Sequence, residues 1–246
     1  MEARENKSYV IAKLRSEIMS LQGFRSPAAG SKPEKIDIGP VSAAFTGGIF
    51  PKVGVHEFIS STPESAAATA GFMATLAGQL MKEDGICLWV SSRRRVFPLA
   101  LGFFGIEPDR VIFVDLKKDK DLLWTIEEGL KCDALSAVVG EVKELNLTES
   151  RRLQLAVEES KVTGLLHRVS PRLSNPVASV CRWRVNPLPS GRDNTLPGIG
   201  FPRWDVQIEK VRNGQAGRWQ VQWSEDHFEH IGLVRVVPSR SFSKVG

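Results

Sequence analysis

Between Gly47 and Gly85 the chain reads GGIFPKVGVHEFISSTPESAAATAGFMATLAGQLMKEDG. A glycine pair leads into a β-branched and aromatic run, Val55 to Ile59. A polar turn and then a helix follow. Strand, turn and helix in that order is the layout of a phosphate-binding loop. Such a loop uses glycines to let backbone N–H groups curl round the phosphates and a lysine to meet their charge. Here the stretch is Thr62, Pro63, Glu64, Ser65, Ala66, Ala67, Ala68 and Thr69. Alanines 67 and 68 stand where the glycine and the lysine belong. They remove a cation and add Cβ atoms where the loop must turn back, so no bound nucleotide is expected. The same chemistry needs an aspartate at the end of a later apolar strand to hold a magnesium shell. In AVVGEV, Gly140 occupies that position. Glu141 comes one residue later, on the other side of a continuing strand. Glu57 and Glu141 remain as carboxylates that could activate a water, with no phosphate grip to supply a substrate. His227 and His230 lack a third ligand, so no metal is expected. No Ser-His-Asp or Cys-His set stands out, and no catalytic residue is assigned.

The elements that would position these residues alternate. The first strand is Val55–Ile59, and the first helix covers 65–82, with Phe72, Leu76 and Leu80 as its apolar stripe. A fully apolar strand, 86–91, precedes Arg93, Arg94 and Arg95 and a short helix through Leu101 and Phe104. A strand at 111–115, a helix at 120–132, a strand at 135–140, a helix at 148–160 capped by Thr148, and a strand from Gly164 complete the pattern. Alternation of this kind predicts a mostly parallel sheet with helices on both faces. The last third differs. Residues 178–185 are strand-like, and 186–203, rich in proline and glycine, read as a loop. WDVQIEKV and RWQVQW around NGQAG read as an antiparallel hairpin at the sheet edge.

Four segments result: an N-terminal amphipathic helix (1–25), a linker (26–46), the core (47–225) and a C-terminal tail (226–246). The first helix presents Val10, Leu14, Ile18 and Leu21 on one face. It must dock either on its own core or on another chain. The tail offers Phe228, Ile231, Leu233, Val234 and Val236 as apolar anchors, for a partner or for its own domain.

The 246 residues, 42% apolar and 25% charged, are those of an ordinary globular protein, and the net charge of +5 permits contact with nucleic acid without demanding it. Candidate DNA contacts are Arg93, Arg94, Arg95, Lys210 and Arg212, with Arg151 and Arg152 beside them. For each alone, a solvated surface charge is the simpler reading. No stretch reaches the apolar length of a membrane span, and no secretory leader is visible. Cys87, Cys132 and Cys181 read as reduced thiols of a cytoplasmic protein.

The run GGIFPKVGVHEF, with Pro63, Glu64, Ser65 and Thr69, resembles the opening of the RecA-type ATPase core. LLWTIEEGLKCDALSAVVGEVKELNLTESRRLQLAVEES and WDVQIEKVRNGQAGRWQVQW are similar to the ImuA family, RecA-like accessory proteins of bacterial mutagenic translesion synthesis. Together the blocks cover most of residues 45–224. The resemblance implies a three-layer RecA-like α/β core with degenerate Walker motifs, in a non-catalytic adaptor induced by DNA damage. It implies as partners an inactive Y-family-like protein (ImuB), an error-prone replicative-type polymerase and RecA, with contacts carried by the C-terminal segment. The regions matching the DNA-contacting loops of RecA are short, EVKELNLT and VSPRLSNPV, so any DNA contact is expected to be weak. Two other readings are an ATPase with an atypical site, stimulated by DNA, and a cell-division inhibitor of the SulA type.

Overall fold

Continuous apolar runs suit strands covered on both faces, and here they form the centre of one sheet. A computed structural model describes residues 36–82, 84–172, 175–191, 200–224 and 226–231. Leu14 and Ile18 of the expected first helix, and Leu233, Val234 and Val236 of the tail, lie outside them. The strands are β1 (Val55–Ser60), β2 (Cys87–Ser91), β3 (Val111–Asp115), β4 (Ala137–Val142), β5 (Thr163–Val169), β6 (Cys181–Gly191), β7 (Phe201–Val211), β8 (Gly217–Ser224) and β9 (His227–His230). Their order is β3-β2-β4-β5-β1-β6-β7-β8-β9. Pairings from β3 across to β6 are parallel, and those from β6 to β9 are antiparallel.

Three helices follow the strands: α1 (Pro63–Met81), α2 (Asp119–Lys131) and α3 (Leu147–Ser160). The two-residue period of the strands sorts their side chains between two cores. Phe58, Trp89, Val139, Leu165 and Trp183 pack with Phe72, Met73 and Leu76 of α1. Val55, Leu88, Val138 and Leu166 pack with Leu122 and Ile126 of α2 and with Leu153 and Val157 of α3. The result is a three-layer α/β/α arrangement. Among the described residues no helix is long and apolar enough to cross a membrane.

Several boundaries differ from the sequence reading. The stretch read as a loop at 186–203 is strand up to Gly191 and again from Phe201. Beyond Trp183, β6 has left β1 and pairs only with β7. Pro187 and Pro189 therefore leave no ladder bond open on the free side. Within the stretch read as linker, Ile36, Ile38, Val41, Ala44 and Phe45 are buried in the α1-side core. The stretch read as tail begins with β9, paired to β8 from His227 to His230. The cap of α3 is Asn146 and not Thr148. Its side chain accepts from the Glu149 N–H (2.8 Å), and the Glu149 carboxylate accepts from the Asn146 N–H (2.9 Å). The helix expected before Phe104 is a seven-residue 3-10 segment, Pro98–Phe104.

On the α2/α3 side of β1 lies a buried charge cluster. Glu57 and Arg168 expose no side-chain surface, and an Arg168 Nη1–H donates to Glu57 Oε1 at 2.8 Å. Arg182 Nε–H donates to Glu57 Oε2 at 2.6 Å. Arg168 also donates to Asn175 Oδ1 (2.9 Å), and Arg182 to the Asn175 carbonyl (2.8 Å). Glu57 is therefore engaged through both oxygens in a buried ion-pair cluster, not exposed to solvent as a water-activating base would be. A buried pair broken on one side leaves an uncompensated charge. Glu57→Gln is expected to lower stability by about 3–5 kcal/mol, read as a drop in the urea midpoint. An unchanged midpoint would remove the cluster from the list of what holds β1, β5 and β6 together.

Candidate functional site

In open parallel sheets, ligands gather outside the carboxyl ends of the strands. At that edge β1 ends at Ser60, and α1 begins at Pro63. Thr62 caps the helix: its Oγ1 accepts from the Ser65 N–H (3.2 Å), and Ser65 Oγ accepts from the Thr62 N–H (3.1 Å). The Ala66 N–H already donates to the Thr62 carbonyl (2.9 Å). The N–H groups that a phosphate would use are spent on the cap. Ala66 and Ala68 face the core, and Ala67 is exposed. Thr69 is fully buried one turn in, with its hydroxyl 3.5 Å from the Val185 carbonyl. Alanine favours helix, and α1 has absorbed the stretch a phosphate loop would need. Glu64 is exposed at the first turn. Its own backbone N–H, then the Thr62 hydroxyl, hold its carboxyl below the usual value.

Strand β4 runs on to Val142, so Gly140 and Glu141 face opposite ways. Gly140 looks toward α2, where an added Cβ would overlap the Ile126 side chain and lie 3.1 Å from Leu166 Cδ2. Glu141 looks toward α1 and accepts from Trp89 Nε1–H at 3.1 Å. It is paired in register with His167 of β5. Burial raises the Glu141 carboxyl, against the Trp89 hydrogen bond and the Arg95 charge.

Glu141 belongs to a polar row that crosses the sheet under α1. Ser91 of β2 pairs with Asp115 of β3, and its hydroxyl donates to Asp115 Oδ1 at 3.0 Å. Glu141 comes next, then His167. The Ser60 hydroxyl sits 2.6 Å from His167 Nε2. Each of the five parallel strands from β3 to β1 thus contributes one polar side chain near its carboxyl end. Sequence reasoning missed this row. Its signal was there, since each apolar run breaks to a polar residue near its end. His167 Nδ1 is buried and finds no hydrogen-bond partner among the described residues. Asp115, Glu141 and His167 are not gathered into a group that could hold a metal ion, and no such group occurs among the described residues.

The basic candidates do not form one surface. Arg93, Arg94 and Arg95 are exposed just past β2, at the carboxyl edge. Arg94 pairs with Asp115 at 2.9 Å and lies 4.8 Å over the Phe113 ring. Lys210 and Arg212 are exposed too, but Val211 pairs with Cys181 at the start of β6, which is the amino edge. Arg152 is engaged with Glu127 at 2.5 Å, and Arg151 is exposed beside it on α3. Of the partner candidates, Phe228 is 5% exposed and packs edge-on against Trp223 at 4.9 Å. Ile231 is half-buried, and its N–H donates to the Gln220 carbonyl. Trp183, Trp204, Trp219 and Trp223 are core residues and not a stacking platform.

The sheet order places β5 between the strand that enters α1 and the strand carrying Gly140 and Glu141. With helices on both faces, this is an α/β fold compatible with a RecA-like core, with helix at 63–69 where a phosphate loop would lie. No protein-family model matches the chain. Protein ImuA of Caulobacter vibrioides strain NA1000 / CB15N is 34% identical to it, over 75% of this chain and 81% of that protein. Protein ImuA of strain ATCC 19089 / CIP 103742 / CB 15 matches to the same extent. The chain belongs to the ImuA family.

Two expectations follow from the geometry. Gly140→Asp, which would restore the missing acid, places a side chain against Ile126. It is expected to cost about 1–3 kcal/mol by overpacking and to confer no magnesium–nucleotide binding, as read by thermal unfolding with and without the ligand. The second concerns acid. His56 donates from Nε2–H to the Pro51 carbonyl (2.8 Å) and accepts at Nδ1 from Trp183 Nε1–H (3.3 Å), so a second ring proton has no place. Burial depresses His56 to about 4. Burial and the Arg95 charge depress His167 to about 4. Both folded values lie below the unfolded one, so the unfolded state takes up these protons first. Stability is fully present above about pH 6.5 and is lost as pH falls toward about 4, each histidine contributing up to roughly 1.4 kcal/mol per pH unit. Glu141, raised in the fold, works the other way and offsets part of the loss. Denaturant midpoints measured down this range should fall, and the fall should be shallower in His167→Gln. A flat profile in the native chain would contradict the assignment.

Proposed function

We propose that the chain is a non-catalytic adaptor in error-prone translesion synthesis induced by DNA damage. It keeps a RecA-like core as a scaffold and recruits an ImuB-like inactive Y-family protein and an error-prone replicative-type polymerase, with RecA as a further partner. One observation supports this most strongly. The helix after β1 begins two residues past Ser61, at Pro63, and its first donors are closed by a capping box. Phosphates have no loop to enter. The packed Gly140 position supports the same reading from a second strand, since no acid fits there to hold magnesium. Family membership favours this over a cell-division inhibitor. The dispersal of exposed basic residues between two edges of the sheet fits a protein that meets DNA mainly through its partners.

The reading is tested by titrating the purified chain with ATP at millimolar concentration and by co-purification with an ImuB-like protein. No nucleotide heat and a stable complex are expected; ATP turnover without a complex would overturn it. The same complex locates the tail contact. Deletion from residue 226 would strip Phe228 from the core, so the informative truncation ends after Ile231. It is expected to keep the thermal midpoint and lose partner binding.

A further inference from the structure

The 3-10 segment Pro98–Phe104 has three residues per turn, so every third side chain shares a face. Pro98, Leu101 and Phe104 turn inward: Leu101 is buried, and the Phe104 ring lies 6.5 Å from that of Trp204. The backbone is pinned at its far end, where Trp223 Nε1–H donates to the Phe103 carbonyl at 3.2 Å. The remaining side chains project. Phe97 is 65% exposed, Leu99 69% and Phe103 81%. Phe97 is the extended residue just before the segment, and Phe103 stands near its end. Only small or inward-turned residues separate them apart from Leu99, and a Cβ added at Gly102 meets nothing within 4 Å. Large apolar groups held out on a fixed backbone mark an interaction surface.

Charge fixes the kind of partner. Arg93 and Arg95 are exposed immediately before the segment, Arg94 is paired with Asp115, and the Arg95 charge also reaches Glu141. From Arg93 to Phe104 the sequence RRRVFPLALGFF contains no carboxylate. We infer that this segment is a docking surface for an acidic peptide of a protein partner, with carboxylates at Arg93 and Arg95 and an aromatic or aliphatic side chain against Phe97, Leu99 and Phe103. A nucleic acid fits less well, because two exposed cations are few for a phosphate backbone and Leu99 offers no stacking face. The inference deepens the adaptor reading and relies on it for the partner's role. The surface itself is tested apart from that reading.

A displayed library of short random peptides is selected on the full chain and, in parallel, on Gly102→Glu, whose side chain enters open space and so should leave the thermal midpoint unchanged. Enrichment of peptides joining Asp or Glu to Phe, Trp or Leu is expected on the native chain alone. The most enriched peptide, labelled and followed by anisotropy, should bind about tenfold or more weakly to Gly102→Glu and to Phe97→Ser with Phe103→Ser. Arg93→Ala with Arg95→Ala should weaken it several-fold and flatten its salt dependence. Equal enrichment on both chains, selection of basic peptides, or binding of labelled oligothymidylate that these substitutions abolish would overturn the inference. Loss of the ATP and co-purification results above, with the peptide result intact, would instead fault the adaptor reading alone.

Discussion

The Glu57 carboxylate is buried in the middle of the sheet, and two guanidiniums take the place of water around it. Arg168 comes from β5 and Arg182 from β6, the two strands that flank β1. Each oxygen of the carboxylate is committed to one of them. The pairing ties together the point where the parallel half of the sheet hands over to the antiparallel half. Asn175 braces both arginines, through its side chain to Arg168 and its carbonyl to Arg182. An interior ion pair is costly to desolvate and is stable only when hydrogen bonds meet its remaining lone pairs and protons. Here the connection between β5 and β6 supplies such bonds. The register of β6 against β1 is short, three residue pairs. Charge geometry at Glu57 and ring packing at Trp183 sit within those three pairs.

On the other face of the same strands the constraint is apolar. Trp183 lies 5.5 Å from Phe58 in a stacked pair and touches the ring systems of Phe45, Phe50, His56 and Phe72. Phe72 passes the contact on to Trp204 and Phe228. One continuous aromatic cluster therefore joins β1, α1, β6, β7 and β9. Aromatic pairs contribute about 0.5–1.5 kcal/mol each beyond their burial, and the cluster explains why residues 36–45 and 227–228 belong to the core. Phe45 and Phe50 close it from one end and Phe228 from the other. His56 can join only as a neutral ring, stacked on Phe50 at 4.4 Å. The price of that membership is sensitivity to acid.

Much of this was legible in the sequence. Continuous apolar runs gave the parallel strands, and alternating Trp219, Val221 and Trp223 gave the hairpin. Alanines at 66, 67 and 68 suited helix, and helix is what the structure has there. What stayed hidden depends on distant pairs. Glu57 looked like a candidate base because its partners lie 111 and 125 positions away. Phe228 was open to a partner or to its own domain, because the contacts that decide it, Trp204 and Phe72, lie on other elements. The basic residues looked like one set because a linear string does not tell the amino edge of a sheet from the carboxyl edge. Proline content misled at 186–191, where an unpaired strand flank tolerates residues that a central strand would reject.

Helix α1 begins at Pro63, shortly after β1 ends, and the Thr62–Ser65 box closes its first donors. The strand ends under α1 carry a row of hydrogen bonds within the protein. Ser91 serves Asp115, Trp89 serves Glu141, and Ser60 meets His167. Polar groups at that depth are tolerated only when they find partners, and most of the row does. The carboxyl edge is thus tied together by its own side chains. Beside it, the segment after β2 does the opposite: it buries Leu101 and presents Phe97, Leu99 and Phe103 to solvent. A chain under selection for solubility alone would gain by exchanging those three for polar residues, since their neighbours inside already anchor the turn. Kept outward beside three arginines, they suit an outer face that meets another molecule, as the proposed docking surface requires.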